Sequence, residues 1–356
     1  MPHSSNDLGT PKDPALHRMD VAKEEYQPPF TVTDKIMNLV IKIGELVGKV
    51  SVTHGLSSNP TLRRENRIRT IHSSLAIEQN TLTLEQVSDV IEGKRILGPP
   101  IEIREVKNAY EAYEYMQKLN PYSIKDLLKG HKILMMDLVK EAGSFRSKGV
   151  GVYAGDNLIH AGTPPQYVPQ LMKNLFDWLK TSKVHPLVKS CVFHYEFEFI
   201  HPFTDGNGRM GRMWHTLLLS EWKDFFAWLP VETLIYERQN DYYQAINNSN
   251  TQGESTIFVE FMLRTIRDSL LEMINSENKS NVGINVGINV GIKNNDLEKQ
   301  LFQIIRSNPR ITAKELAVAV SLTQRQVERI ILKLKNKGVI ERVGAKKNGY
   351  WKINMD

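Results

Sequence analysis

The sequence predicts a mainly α-helical protein in two bodies: a large helical body that carries one small β-hairpin, and a basic C-terminal body of helices followed by two short strands. Three observations predict it. Apolar residues recur at helical spacing through most of the first 275 residues. One stretch rich in glycine and β-branched residues, SKGVGVYAGDNLIHAGTPP, breaks that rhythm and suits a hairpin. A repeated NVGINVGINVGI segment then separates a terminal part of different charge. At 356 residues the chain exceeds one ordinary domain. Its apolar share of 41% and charged share of 24% are those of a globular protein. No apolar run approaches the roughly 20 residues that span a bilayer, so no membrane partner is expected.

The opening MPHSSNDLGTPKDP lacks the apolar stretch and cleavage site of a signal peptide; residues 1–20 read as a disordered arm and the protein as cytoplasmic. A helical region over 21–100 follows. Ile36, Leu39, Val40, Ile43, Leu46 and Val47 define a helix over about 30–50, with Thr33 and Asp34 at its start. Leu62 to Gln79 reads as a second helix. Thr83 and Gln86 are spaced as a capping box for a third, and Gly93 supplies its stop. Helices over about 103–119, 123–140, 165–181, 186–199, 207–220, 238–249 and 254–274 fill a core over 101–275, interrupted by the hairpin at Gly149 to His160. The single cysteine, Cys191, falls within one of these helices, which excludes an intrachain disulfide and suits core packing. The NVGI repeats have apolar residues at alternate positions with Gly in every unit, so residues 276–295 read as a linker, an edge strand being the alternative.

Residues 296–356 read as helix, helix, turn, helix and two strands, the pattern of a winged helix-turn-helix. Val327, Ile330, Ile331 and Leu334 form the buried stripe of its third helix and leave Gln324, Arg325, Arg329 and Lys333 outward, where a DNA groove would meet them. Lys346 and Lys347 fall at the wing tip. From Lys293 to Asp356 there are fourteen Lys or Arg against six Asp or Glu, a balance of +8; the whole chain is +6, so the rest carries −2. A basic excess confined to one small module points to a polyanionic partner for that module, with protein docking as the alternative.

Chemistry concentrates in His201-Pro202-Phe203-Thr204-Asp205-Gly206-Asn207-Gly208-Arg209-Met210-Gly211-Arg212, between two apolar-periodic helices. Two glycines flanking Asn207 let backbone N–H groups converge, and the following helix adds its positive dipole end, which together make an anion nest. Asp205 is the hard oxygen ligand Mg²⁺ prefers. Arg209 and Arg212, three apart, project toward one anion. His201, with an ordinary imidazole pKa near ~6.5, can take a proton from an attacking hydroxyl. The absence of GxxxxGK[ST] excludes a P-loop.

This stretch resembles the full signature of the Fic (Fido) family, and the similarity extends over about residues 60–275. The resemblance implies a Fic-type helical core and transfer of AMP from ATP, with Mg²⁺, to a Ser, Thr or Tyr hydroxyl of a target protein. It implies His201 as general base, Asp205 as metal ligand, Thr204, Gly206, Asn207, Gly208 and Arg209 around the phosphates, and Arg212 on the γ-phosphate. The hairpin falls where the family keeps its target-docking flap, with Val150 and Val152 as its clamp. ERQNDYYQAINNSN resembles the adenine-side helix, with Tyr243 and Asn250 toward base and ribose. Ser73-Ser74-Leu75-Ala76-Ile77-Glu78-Gln79-Asn80 is similar to the family's inhibitory motif. There Ser74 would steady the Glu78 carboxylate while Glu78 occupies Arg212, with Gln79 where Gly or Asn is usual. Some relatives with this glutamate also remove AMP, and family members form dimers. The alternative to an enzyme is a DNA-binding regulator whose Fic-like domain senses nucleotide.

Overall fold

The computed structural model describes residues 26–53, 59–154, 157–161 and 163–281 and, nearer the C-terminus, 301–302, 304–306, 308–309, 311–319, 324–336, 339–343 and 350–353. The expected arm over 1–20, the linker residues 282–295 and the wing-tip Lys346 and Lys347 lie outside the described residues. The chain divides into two compact units, residues 1–282 and 283–356.

The first unit is helical apart from one hairpin. Helix α1 (Asp34–Thr53) starts where expected, the Thr33 hydroxyl accepting from the Ile36 N–H at 3.2 Å. Helix α2 (Pro60–Ile77) is capped by Asn59, whose side chain accepts from Leu62 N–H at 3.1 Å, with Pro60 in the first turn, where its missing N–H is no loss. In α3 (Leu84–Ile91) the capping box forms in both directions, at 2.9 and 3.2 Å. Helix α4 (Pro100–Tyr115) runs into a short 3₁₀ turn, and α5 (Ile124–Leu134) follows. The expected helix to residue 140 therefore stops early: residues 135–138 form turns, and Asp137 takes a left-handed φ of 61° that no helix accommodates.

Strands β1 (Gly151–Ala154) and β2 (Asn157–Ala161) pair antiparallel, Val152 opposite His160, with an irregularity between Val152 and Tyr153. Helices α6 (Val168–Thr181), α7 (Pro186–Ile200) and α8 (Asn207–Trp222) come next. Helix α7 is buried on nearly every face, as a helix apolar all round must be, and packs against α6, α8 and a long C-terminal helix, α11 (Thr256–Asn281). Cys191 is buried there, in line with core packing. Between them lie a 3₁₀ segment Asp224–Trp228, α9 (Val231–Glu237) and α10 (Gln239–Gln252). The sequence pattern missed the segment over 224–237, because α9 has 7 residues, too few for a period to show. Helix α11 also overruns the expected linker start at 276, since nothing in NSENKSN stops a helix before Asn281. Its N-terminal end is strapped by the segment before α1: Thr31 N–H donates to the Thr256 hydroxyl at 2.8 Å, and Ser255 N–H to Pro29 O at 2.9 Å. Among the described residues, no helix is long and apolar enough to cross a membrane.

In the second unit, α12 (Ala313–Ala319), α13 (Gln324–Asn336) and the antiparallel pair β3 (Ile340–Val343) and β4 (Tyr350–Ile353) enclose their own small core. The predicted stripe is buried: Val327, Ile330, Ile331 and Leu334 sit with Leu316, Ile340 and Trp351. The Trp351 indole N–H donates to Ile311 O at 3.0 Å, fastening β4 to the helices.

Candidate active site

Helix α7 ends at His201, whose φ of 53° and ψ of 62° lie in the left-handed region. The helix therefore breaks off sharply, and the imidazole stands on a rigid helix end. The ring Nδ1 is 3.3 Å from Glu198 O; a carbonyl only accepts, so Nδ1 carries the proton and the lone pair is on Nε2. The loop that follows is folded around Asn207, whose side chain accepts from Phe203 N–H at 2.8 Å and donates to Phe203 O at 2.9 Å. That side chain ties the loop together, which leaves the backbone N–H groups, the part the sequence reading assigned to the nest, as Asn207's contribution there.

Gly206 begins α8 with φ 81°, and no side chain caps the helix. A Cβ at this position would lie 2.5 Å from the Met135 sulfur, so glycine is needed for both space and conformation. At Gly208 a Cβ would lie 2.4 Å from Oε1 of Glu78. A carboxylate thus already sits against the uncapped helix N-terminus, in the place where the dipole favours an anion.

Glu78 is the C-cap of α2 and reaches Arg212 on α8, Oε1 to Nη2 at 2.7 Å. The guanidinium also donates from Nε to the Ser74 hydroxyl at 3.1 Å and from Nη2 to Ser74 O at 2.9 Å. This corrects the expected role of Ser74, which grips the arginine rather than the carboxylate, because its hydroxyl and carbonyl both face α8. The Arg212 side chain is 1% exposed and that of Glu78 30%. Burial pulls the Arg212 pKa down more than any single neighbour raises it; the Glu78 carboxylate, Tyr242 and Glu198 together offset burial and the pKa is raised. Helix α2 ends in a Schellman turn, Asn80 N–H to Leu75 O and Gln79 N–H to Ala76 O, both at 3.1 Å. Gln79 occupies the left-handed position with φ 69°, which accounts for the preference for Gly or Asn there.

The two motif arginines part company. Arg209 donates to Glu105 at 2.7 Å and to Asp205 Oδ1 at 3.0 Å, so it orients the proposed metal ligand rather than sharing an anion with Arg212. The Asp205 side chain is 55% exposed and its Oδ1 also accepts from Gly206 N–H at 2.6 Å. Thr204 is exposed and its hydroxyl donates to Glu141 at 2.6 Å. Among the described residues no group of three or more His, Cys, Asp or Glu could hold a metal ion. One carboxylate beside an anion nest nevertheless fits Mg²⁺, which is held by one or two carboxylates together with substrate phosphates.

Tyr243 on α10 is 40% exposed. Burial and then the nearby Glu78 carboxylate raise its pKa, so its ring lies on the Glu78 side of the site. The Asn250 amide oxygen accepts from the Tyr195 hydroxyl at 2.9 Å, which ties it to α7. Val150 is half-buried just before β1 and Val152 lies in β1; the side chain of Val152 is outside the described residues. Arg325, Arg329 and Lys333 all lie on α13, and their side chains are likewise outside the described residues.

Sequence reading missed several side chains that shape the site. His131 stacks on Phe203, ring centroids 3.6 Å apart. Its Nδ1 accepts from Gly143 N–H at 2.9 Å, so Nε2–H donates to Asp205 O at 3.0 Å. Burial brings its pKa down to about 4 and keeps it neutral. Glu198 on α7, its side chain 11% exposed, has its pKa raised to about 8, chiefly by burial. Arg146 holds the loop from its other side. None of these carries a motif, since each acts through backbone atoms or burial.

Residues 121–219 match the Fic/DOC family, and residues 294–341 match a winged helix-turn-helix DNA-binding family. A Fic family protein from Desulfovibrio desulfuricans G20, known from its crystal structure, is 44% identical, with 93% of this chain and 99% of that one covered and a TM-score of 0.69. Protein adenylyltransferase Fic of Nematostella vectensis is 31% identical over 212 residues, 56% of this chain and 47% of that protein. Protein adenylyltransferase fic-1 of Caenorhabditis elegans is 29% identical over 237 residues, 63% and 44%. The chain spans about half the length of the curated relatives it matches.

Proposed function

Because the chain belongs to the Fic family, we propose that it is a protein adenylyltransferase, moving AMP from ATP to a Ser, Thr or Tyr hydroxyl of a target protein. One observation carries the reading: a helix-end imidazole and an exposed carboxylate flank a glycine-lined helix N-terminus, with a buried arginine one turn further along α8.

With the lone pair on Nε2, His201 takes the proton of the target hydroxyl as its oxygen attacks the α-phosphorus. The new O–P bond forms as the bond to the bridging oxygen breaks. Pyrophosphate leaves with that electron pair. The N-terminal amides of α8 meet the phosphates, and Arg212 receives the γ-phosphate once Glu78 withdraws. Asp205, oriented by Arg209, would hold Mg²⁺, which when bound neutralises phosphate charge. In the state described here Glu78 fills the anion seat, and this supports autoinhibition. Intact His201 and Asp205 favour an enzyme over a nucleotide sensor. For the basic C-terminal module we assign DNA as the partner, on its charge and its likeness to a DNA-binding family.

The test is incubation with Mg²⁺ and ATP labelled at either the α- or the γ-phosphate. Label should enter protein from the α position in the wild-type chain and vanish in His201→Ala. Incorporation from the γ position alone would replace this reading with a kinase-like reaction.

A further inference from the structure

The hairpin and the base are separate in sequence, and one side chain joins them. Arg146, between α5 and β1, is 3% exposed. Its Nε donates to His201 O at 2.7 Å, Nη1 to Lys148 O at 2.9 Å, and Nη2 both to Thr163 O and, at 3.4 Å, to Ile200 O. Its own backbone N–H donates to Pro202 O at 3.0 Å. Lys148 precedes β1 and Thr163 follows β2, so the guanidinium binds both feet of the hairpin to the backbone of the base. Every one of these partners is a main-chain carbonyl. The residue is not neutralising an acid through them; its rigid fork of donors sets the relative position of two backbone segments.

The carbonyl that Nε holds belongs to the residue in the left-handed conformation, where backbone rotation would swing the imidazole. If the hairpin docks the target by main-chain pairing, the gap from the docked hydroxyl to Nε2 is set through Arg146. We infer that Arg146 is a positioning residue that fixes the reach between the hairpin-bound hydroxyl and the His201 base. The inference rests on the AMP-transfer reading above. Lysine cannot substitute, since three donors on one atom cannot bridge carbonyls on opposite sides of a planar fork.

The test uses the full chain carrying Glu78→Gly, with Mg²⁺ and α-labelled ATP, alone and with Arg146→Lys. The double variant should bind ATP within about twofold of its parent, while self-labelling falls about 100-fold, as misplacement by an ångström can produce. Unchanged labelling overturns the inference. So does a fall in labelling that ATP affinity matches, which would mark a merely structural arginine. No label in Glu78→Gly itself would remove the AMP-transfer reading and this inference with it. A second measurement needs no Arg146 variant: native-state hydrogen exchange of the Glu78→Gly chain should show amides 151–154 and those of His201 and Phe203 opening as one unit. Opening at unrelated free energies would refute the coupling.

Discussion

Glu78→Gly should raise the rate of AMP transfer roughly 10- to 30-fold. On the proposed mechanism Glu78 would compete with the γ-phosphate for the guanidinium it holds at 2.7 Å, a hydrogen bond between charged groups. Such bonds contribute about 1.5–3 kcal/mol. With its side chain 30% exposed, Glu78 is partly screened, which keeps the value near the lower end, at about 1.5–2 kcal/mol. Each 1.4 kcal/mol is about tenfold in the population of the open seat. The assay is the initial rate of label incorporation from α-labelled ATP with Mg²⁺. A companion measurement follows thermal unfolding. Without its carboxylate the buried Arg212 is an under-compensated cation, so the variant should melt a few degrees lower, and saturating ATP should raise its midpoint by more than that of the wild type. Equal labelling of the two proteins, or a smaller ATP shift in the variant, would refute the argument that this carboxylate occupies the phosphate seat.

Three further outcomes follow from the geometry. Gln79→Gly relieves a left-handed φ of 69°; it should stabilise the fold by about 1 kcal/mol, raise the melting midpoint by roughly 2–4 °C, and lower basal labelling by holding Glu78 more firmly. An unchanged midpoint would show that the turn stores no strain. His131 is neutral in the fold, its pKa brought down to about 4 by burial, whereas the unfolded chain binds a proton below about 6.5. Its contribution is therefore intact above pH 6.5 and is lost as pH falls toward 4, by up to about 3 kcal/mol. His131→Gln should start less stable at neutral pH yet lose less between pH 6.5 and 4 in denaturant titrations; parallel curves would exclude His131 as the titrating group. A duplex DNA should bind the full chain with an affinity that falls steeply as salt rises, because phosphate contacts release counterions. No retardation at low salt would leave protein docking for the C-terminal module.

Much of the helical body was legible because its signals are local. The Thr83–Gln86 box, the Thr33 cap and the stripe Val327, Ile330, Ile331 and Leu334 are matters of spacing along one segment, and each forms as read. The run from His201 to Arg212 was legible for the same reason. What the spacing did not give was which partner each group would choose. Arg209 lies three residues from Arg212 yet turns to Glu105, a carboxylate 104 residues away. Ser74 was expected to hold Glu78 and instead holds Arg212. Arg146 and His131 were invisible, because they bind carbonyls 55 and 74 residues distant, and a carbonyl belongs to every residue type alike. The overrun expected for α5 had a similar cause: Met135, Leu138 and Val139 continue an apolar rhythm through turns that pack into the same core.

Glu78 and Arg212 belong to a single polypeptide, 134 residues apart. Their encounter is unimolecular, so under the autoinhibition proposed above neither dilution nor gene dosage would separate them, and every copy of the chain would be made with its own stopper in place. Release would then have to come from something that pulls the end of α2 away from α8, and a signal that only changes how much protein is present would leave the fraction of open molecules where it was.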